Sequence, residues 1–342
     1  MRYKKFVLTI IATMLFIYSY AQVIASLHKS GVVQHFSGAD ALANAYTASA
    51  NGDTIYLSGG SFVPPSSFDK GLTIYGAGHY PDSTLATGKT FINGTINLNA
   101  NADNFHIEGI EVTEGIVFVN NVSVNQVTVK YCKVNGIIHV MGNLTNPSNN
   151  LAFIESVLVG DITLSNATNL AMFNCIVQSH IVNSIGNIFS NNIFLYLGAF
   201  NNMVLSSICI NNTFNNNIFL QTSWNAITQG SGNSFRNNLF ILAAPEFATA
   251  YTSENNYFGI EQASIFIDQT ANAFNYLHNY RLKSPGTYLG TDGMTIGIYG
   301  GVFSYKEGAV PSNPHIQLKN ISTTTDSQGK LNVNIRVAAQ DR

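Results

Sequence analysis

At 342 residues, with 46% hydrophobic side chains and a mean hydropathy of +0.12, the chain has material for one large core or two. Only 10% of it is charged, against roughly 25% in ordinary soluble domains, and the net charge is −2 with a pI of about 6.4. No basic patch exists that would release counterions from a polyanion, which excludes a nucleic-acid partner.

The N-terminus reads as a leader. Arg2, Lys4 and Lys5 precede a 15-residue apolar run from Phe6 to Tyr20, and Ser19-Tyr20-Ala21 offers small residues at −3 and −1 before Gln22. This predicts a signal peptide over 1–21 with cleavage after Ala21 and export through the Sec pathway, to the periplasm, the cell surface or the medium. The run is short for a spanning helix, and no Cys follows the cut to carry a lipid anchor. Residues 37–51 predict a helix. Ser37 and Asp40 have capping-box spacing, Leu42 and Tyr46 lie one turn apart, and Asn51-Gly52 ends it. Such a helix would cover the open first coil of a repeat fold. Asp53–Leu57 and Leu72–Tyr75 then read as strands.

Further on, the chain repeats Asn-Asn-x-Phe, with phased copies at 191–194, 216–219, 237–240 and 255–258. Degenerate copies are Asn174-Cys175-Ile176-Val177, Glu155-Ser156-Val157-Leu158 and Tyr131-Cys132-Lys133-Val134. Anchored on the second residue, the intervals are 24, 19, 17, 25, 21 and 18 residues. A unit near 21 residues with variable inserts predicts a solenoid. The second position is small or amide in every copy and the fourth always apolar; two apart on a strand, they share a face. Asn tolerates the left-handed backbone of a tight bend, and its amide can bond the Asn one coil away. The second position therefore marks a corner, with Asn192, Asn217, Asn238 and Asn256 forming a structural ladder that Cys175, Ser156 and Cys132 continue. Cys132 and Cys175 would sit two coils, about 10 Å, apart. All three cysteines, Cys209 included, are expected unpaired.

Short β-runs to about residue 302 would make roughly 12 coils, about 55 Å tall at 4.8 Å each. Pro311–Pro314 breaks the pattern. The tail 311–342 alternates at Leu331, Val333, Ile335 and Val337 around an Asp326–Gly329 turn, which predicts a β-hairpin that could seal the last coil. The expected fold is all-β: a single-stranded parallel β-helix over 22–310, an α-helical cap at its start and a strand tail.

The Asn-Asn-x-Phe coils, the Gly52–Leu57 run and the Leu72–Gly78 segment resemble right-handed parallel β-helix proteins of the pectin-lyase-like superfamily. Thr291–Gly301 resembles the end of the helix in secreted bacterial members of unassigned activity. The resemblance implies a groove along the central coils. In members like pectate lyase that groove would hold a carboxylate cluster for calcium and an Arg or Lys base. In members like polygalacturonase it would hold paired Asp residues, Gly-His-Gly and Arg-x-Lys.

None of those patterns occurs here, and the 74 residues from Ile162 to Phe235 contain no Asp, Glu, Lys or Arg. Proton abstraction from a sugar ring, or protonation of a glycosidic oxygen, needs positioned ionisable groups; only His180 stands in that stretch. If the chain is an enzyme, the early-coil residues Glu111, Lys133, His139 and Asp161 are its catalytic candidates. No calcium, zinc or phosphate-loop spacing is present, so no metal or cofactor is expected. The third motif position should point outward yet is apolar at Ile176, Ile193, Ile218, Leu239 and Tyr257. This ladder is either a partner-binding surface or a face covered by loops such as Ala199–Ser207 or Ser223–Ser234. The composite expectation is an exported, non-enzymatic surface or envelope module that binds a neutral glycan or a protein, or serves as a stalk. The alternative is a polysaccharide lyase or glycoside hydrolase with an atypical site.

Overall fold

The computed structural model describes residues 23–195, 204–223, 229–247, 249–302 and 304–338; the expected leader over 1–21 lies outside them. The chain forms a parallel β-solenoid of about nine turns. Three sheets of 12, 9 and 6 strands make its sides. In the first sheet the middle residue of each three-residue strand points inward. Ile107, Val129, Phe153, Met172, Phe189, Phe214 and Phe235 therefore stack in register down the core.

The corner between the first and second sheets explains the Asn-Asn pair. The first residue of each copy carries the left-handed backbone, with φ of 54° at Asn174, 59° at Asn191, 60° at Asn216, 51° at Asn237 and 53° at Asn255. The second turns its amide inward. Asn217 Oδ1 accepts from the backbone N and the Nδ2 of Asn192 at 2.8 and 3.0 Å. Asn238 Oδ1 does the same for Asn217, and Asn256 Oδ1 for Asn238. Each Nδ2 also donates to a backbone carbonyl of the preceding coil: Met172, Phe189, Phe214 and Phe235 in turn. Asn192 Oδ1 receives Cys175 N, and Ser156 Oγ receives Cys132 N. Expecting both bend and ladder from one position was a simplification, because an amide that faces the core cannot also hold the outside of the bend.

A second ladder stands one strand earlier. Asn187, Asn212 and Asn233 are buried, with Asn212 Oδ1 accepting Asn187 N and Asn233 Oδ1 accepting Asn212 N. Beside the ladders run two ring columns. Phe189, Phe214, Phe235 and Phe247 stack at 4.8, 5.1 and 4.2 Å; Phe194, Phe219, Phe240 and Phe258 stack at 4.8, 4.7 and 5.2 Å. Phe247 and Phe258 close the last coil. Cys132, Cys175 and Cys209 are buried and free.

At the other end, strands β1 (Ile24–Lys29) and β2 (Val32–Ser37) extend the first sheet antiparallel, β1 pairing with β3 (Thr54–Leu57). Helix α1 spans Ala41–Ala48, shorter than the expected 37–51. The capping box does not form: Ser37 is still in β2, paired with Ile24, and the Asp40 side chain makes no cap bond. The helix is held by packing instead. Leu42 and Ala45 are fully buried, and the Tyr46 ring meets Phe68 edge-on at 5.1 Å.

The coils end near Tyr257, not at 302. Residues 260–312 fold back as a strap over the outer face of the second sheet. The left-handed corner residues form its rail. Asn237 Nδ2 donates to Leu289 O, and Asn216 Oδ1 accepts Thr291 N. Asn191 Nδ2 donates to Gly297 O, and Asn174 Nδ2 to the carbonyls of Ile298 and Gly300. Glu155 Oε2 accepts Lys306 N, and Glu108 Oε1 accepts Ser312 Oγ. Thr291–Gly301, expected as the helix's closing turn, is thus strap. Its Gly297 (φ +74°) lies so close to the coils that a Cβ would stand 2.6 Å from Ile218 Cδ1.

The tail forms the expected hairpin, His315–Thr325 paired with Leu331–Ala338, and Asp326 Oδ1 receives Gln328 N and Lys330 N in its turn. It does not seal the last coil. The strap delivers it to the early coils, where Pro311 packs on Gly109, and Leu331, Val333, Ile335 and Val337 stay exposed.

Candidate functional site

The apolar ladder points out of the coils but is no free surface. Ile176, Ile193, Ile218 and Leu239 are fully buried. Their cover includes Ile265, Phe266, Tyr280, Leu282, Ile296, Ile298 and Tyr305 from the strap. Tyr257 is half-buried, edge-on to Tyr288 at 5.1 Å, its hydroxyl donating to Leu289 O. The expectation of a binding ladder is therefore corrected. Period-two patterning tells which side of a strand is apolar, not what lies over it.

The catalytic candidates do not converge. Glu111 and Lys133 are register partners in the second sheet, whereas His139 lies in a strand of the third sheet and Asp161 in the bend before the next. Glu111 is bound on every side. It bridges Lys89 and, at 3.1 Å, Lys133; it accepts Asn135 Nδ2 at 3.0 Å and the Tyr276 hydroxyl at 3.4 Å. Burial alone would push its carboxyl up, but Asn135, Lys89 and Lys133 together pull it down to about 2. A carboxylate held so firmly ionised and so fully bonded is a poor base. Beside it His79 is fully buried, and burial drives its pKa down to about 3, so it stays neutral. Asp161 accepts from Ser179 Oγ and lies 3.2 Å from His180 Nδ1. Ser179 Oγ also lies 3.4 Å from His180 Nδ1, but its shorter bond goes to the carboxylate, and Glu111, Lys133 and His139 do not join this group. Burial lowers the His139 pKa as well. Among the described residues no group of three His, Cys, Asp or Glu is placed to hold a metal ion.

Glu155, outside the candidate set, carries the largest upward shift of a carboxyl. It is 3% exposed, at a non-glycine corner with φ 47°, beneath the strap. Burial raises its pKa to about 7, against the opposing pull of Lys306 N, Lys130, the Lys306 charge and Tyr131. The folded-state value lies above the unfolded one, so this group's contribution to stability is greatest below about pH 4.5. It falls as pH rises toward 7, and ionisation then costs about 3 kcal/mol. Glu155→Gln keeps an acceptor for Lys306 N. In urea titrations from pH 5 to 8 the variant should gain stability over the parent progressively, by roughly 3 kcal/mol at the upper end. Taking the difference cancels the titration of His79. An advantage that does not grow with pH would refute the burial account.

Where the strap crosses the early coils it leaves an open cleft of about 500 Å³. Tyr80, on the loop leading to the 3₁₀ turn Asp82–Thr84, faces Tyr276, Tyr280, Tyr299 and Tyr305 of the strap. The Tyr80 and Tyr305 hydroxyls are 2.8 Å apart, and Ser83 Oγ donates to Gly308 O at 2.7 Å, tying loop to strap. Arg281 lies 4.4 Å over the Tyr299 ring and pairs with Glu307 at 2.8 Å. Burial raises every one of these five tyrosines, Tyr299 to about 12, so all remain protonated donors at neutral pH. Sequence reasoning missed the cleft. Its walls lie some 200 residues apart in the chain, and the only local signal is tyrosine density between 276 and 305.

No family model matches the chain, and neither a curated protein nor a solved structure does.

Proposed function

We propose that the protein is an exported, non-enzymatic solenoid module, similar to pectin-lyase-like β-helix proteins, that binds neutral sugar units of a glycan in the tyrosine cleft. The observation that carries this reading is five tyrosines around one open cleft, braced by hydroxyl and loop–strap hydrogen bonds. Pyranose rings present C–H faces that pack on aromatic rings and hydroxyls that pair with phenols and amides. The braced walls limit the ordering cost of binding. The singled-out carboxylate Glu111 is occupied in holding Lys89, Lys133 and Tyr276, which supports binding over catalysis.

A second reading, a hydrolase or lyase, is favoured by one feature: Asp82 and Glu307 line the same cleft. One experiment separates the two. The mature chain is screened on a glycan array and incubated with pectate, polygalacturonate, alginate and the array's best neutral polysaccharide, with and without calcium. We expect binding to a neutral glycan, weakened at least tenfold by Tyr299→Ala, nearly independent of salt, and no cleavage. New reducing ends or unsaturated uronates, lost in Asp82→Asn or Glu307→Gln, would establish the enzymatic reading instead.

A further inference from the structure

We propose that the recess on the other side of Tyr276 from the cleft is a seat for one sugar unit carrying an anionic substituent, a carboxylate or a sulfate ester. This deepens the glycan-binding reading and rests on it: the ligand becomes a sparsely charged chain, neutral in the tyrosine cleft and acidic at one position beside it.

The recess holds about 260 Å³, the scale of a single sugar ring. Tyr276 lines both it and the cleft, so adjoining units of one chain reach both. Phe274 and Tyr276 form its apolar wall, with Lys133, Asn135, Gln178 and Asn275 as its polar side chains. Gln178 is only 7% exposed. Its Oε1 accepts Phe274 N at 2.7 Å, which decides the orientation of the amide, because the backbone N–H can only donate. The Nε2 group has no protein partner among the described residues and is not sealed from solvent, so it is free to donate to a ligand acceptor. Lys133 spends one N–H on Glu111. Asn275 accepts Leu277 N through Oδ1, leaving its Nδ2 group to donate. The free groups are thus three donors, one of them charged, and one acceptor, Asn135 Oδ1, whose own Nδ2 is bonded to Glu111.

The charge agrees. Lys89 and Lys133 share the single carboxylate of Glu111, His79 is neutral and Tyr276 is protonated, so the cluster carries one net positive charge. Asp161, further along the coil, is engaged with Ser179 and His180. Anionic oxygens accept strongly from donors of this kind. Beyond Tyr276 the exposed Asp82 and Glu307 disfavour a second anion, which sets this ligand apart from a polyuronate.

The test is calorimetric titration of the mature protein with glucuronate, glucose 6-sulfate, glucose and a neutral oligosaccharide selected on the array. At low salt at least one of the two acidic sugars should bind about tenfold or more tighter than glucose, and which one does so tells carboxylate from sulfate ester. That preference should shrink with added salt. Gln178→Glu keeps the acceptor for Phe274 N and replaces the free donor by a negative oxygen, so it should abolish the preference in a protein that still folds. Lys133→Gln should reduce it, and Tyr299→Ala should leave it intact while weakening the neutral oligosaccharide. Acidic sugars binding within twofold of glucose, or a preference that survives Gln178→Glu, overturns the seat. Loss of the neutral oligosaccharide alone overturns the cleft reading, and no binding by any of the four overturns both.

Discussion

Asn217→Leu should lower the unfolding free energy by about 3–6 kcal/mol. The amide is completely buried and serves four groups. Its Oδ1 accepts the backbone N and the Nδ2 of Asn192, and its Nδ2 donates to Phe189 O and Asn238 Oδ1. Leucine has similar bulk and no polar atoms, so these partners lose their bonds in a place water cannot reach. Each such loss costs roughly 1–3 kcal/mol, reduced where a neighbour can rebond. Coils contact only their neighbours, so the damage should be local to the coils around residues 192–238 and visible there as accelerated amide exchange. Chemical denaturation gives the magnitude. An unchanged midpoint would mean that the ladder contributes nothing beyond the strand hydrogen bonds.

Phe219→Ala should cost about 3–5 kcal/mol, the usual range for a buried ring replaced by a methyl group. Phe219 lies between Phe194 and Phe240 at 4.8 and 4.7 Å, with interplanar angles of 7° and 9°, and meets Phe214 at 6.2 Å. The flanking rings are held by parallel strands in fixed register, so the column cannot close over the gap. Phe219→Leu should recover roughly half of the loss by filling volume without restoring the stack. Denaturant titration of both variants checks this. A cost below about 1 kcal/mol for the alanine variant would show that the coils relax freely into the void.

Both effects belong to the part of the molecule that its sequence makes plain. A repeating coil places equivalent residues over one another, so a phased Asn or Phe becomes a column. The second ladder had the same signal. Asn187, Asn212 and Asn233 each stand five residues before the inward Asn of the next corner and two before a Phe. Asn187 and Asn233 follow a glycine, and the doubled Asn211-Asn212 stands only five residues before the next corner, so this column does not show as a doubled-asparagine repeat of its own. The boundary at 302 failed for a related reason. Strap and coil share Gly, Asn and short apolar runs, and composition cannot separate a strand that closes a coil from one that lies across it.

The site belongs to the tertiary structure. That Ile176, Ile193, Ile218 and Leu239 lie outside the coil follows from alternation along a strand. That they are buried follows from a strap that comes later in the chain and is seated on Asn174, Asn191 and Asn216. Glu111 and Lys133 come together through parallel register, one coil apart. Their engagement with Tyr276, and with it the fate of Glu111 as a base, depends on where the strap returns. Local pattern determined the solenoid, its corners and its core, because those interactions link residues about one coil apart and recur. Only the fold could decide the cleft, since it joins a loop at residue 80 to tyrosines beyond 275 through contacts that occur once and leave no period in the sequence.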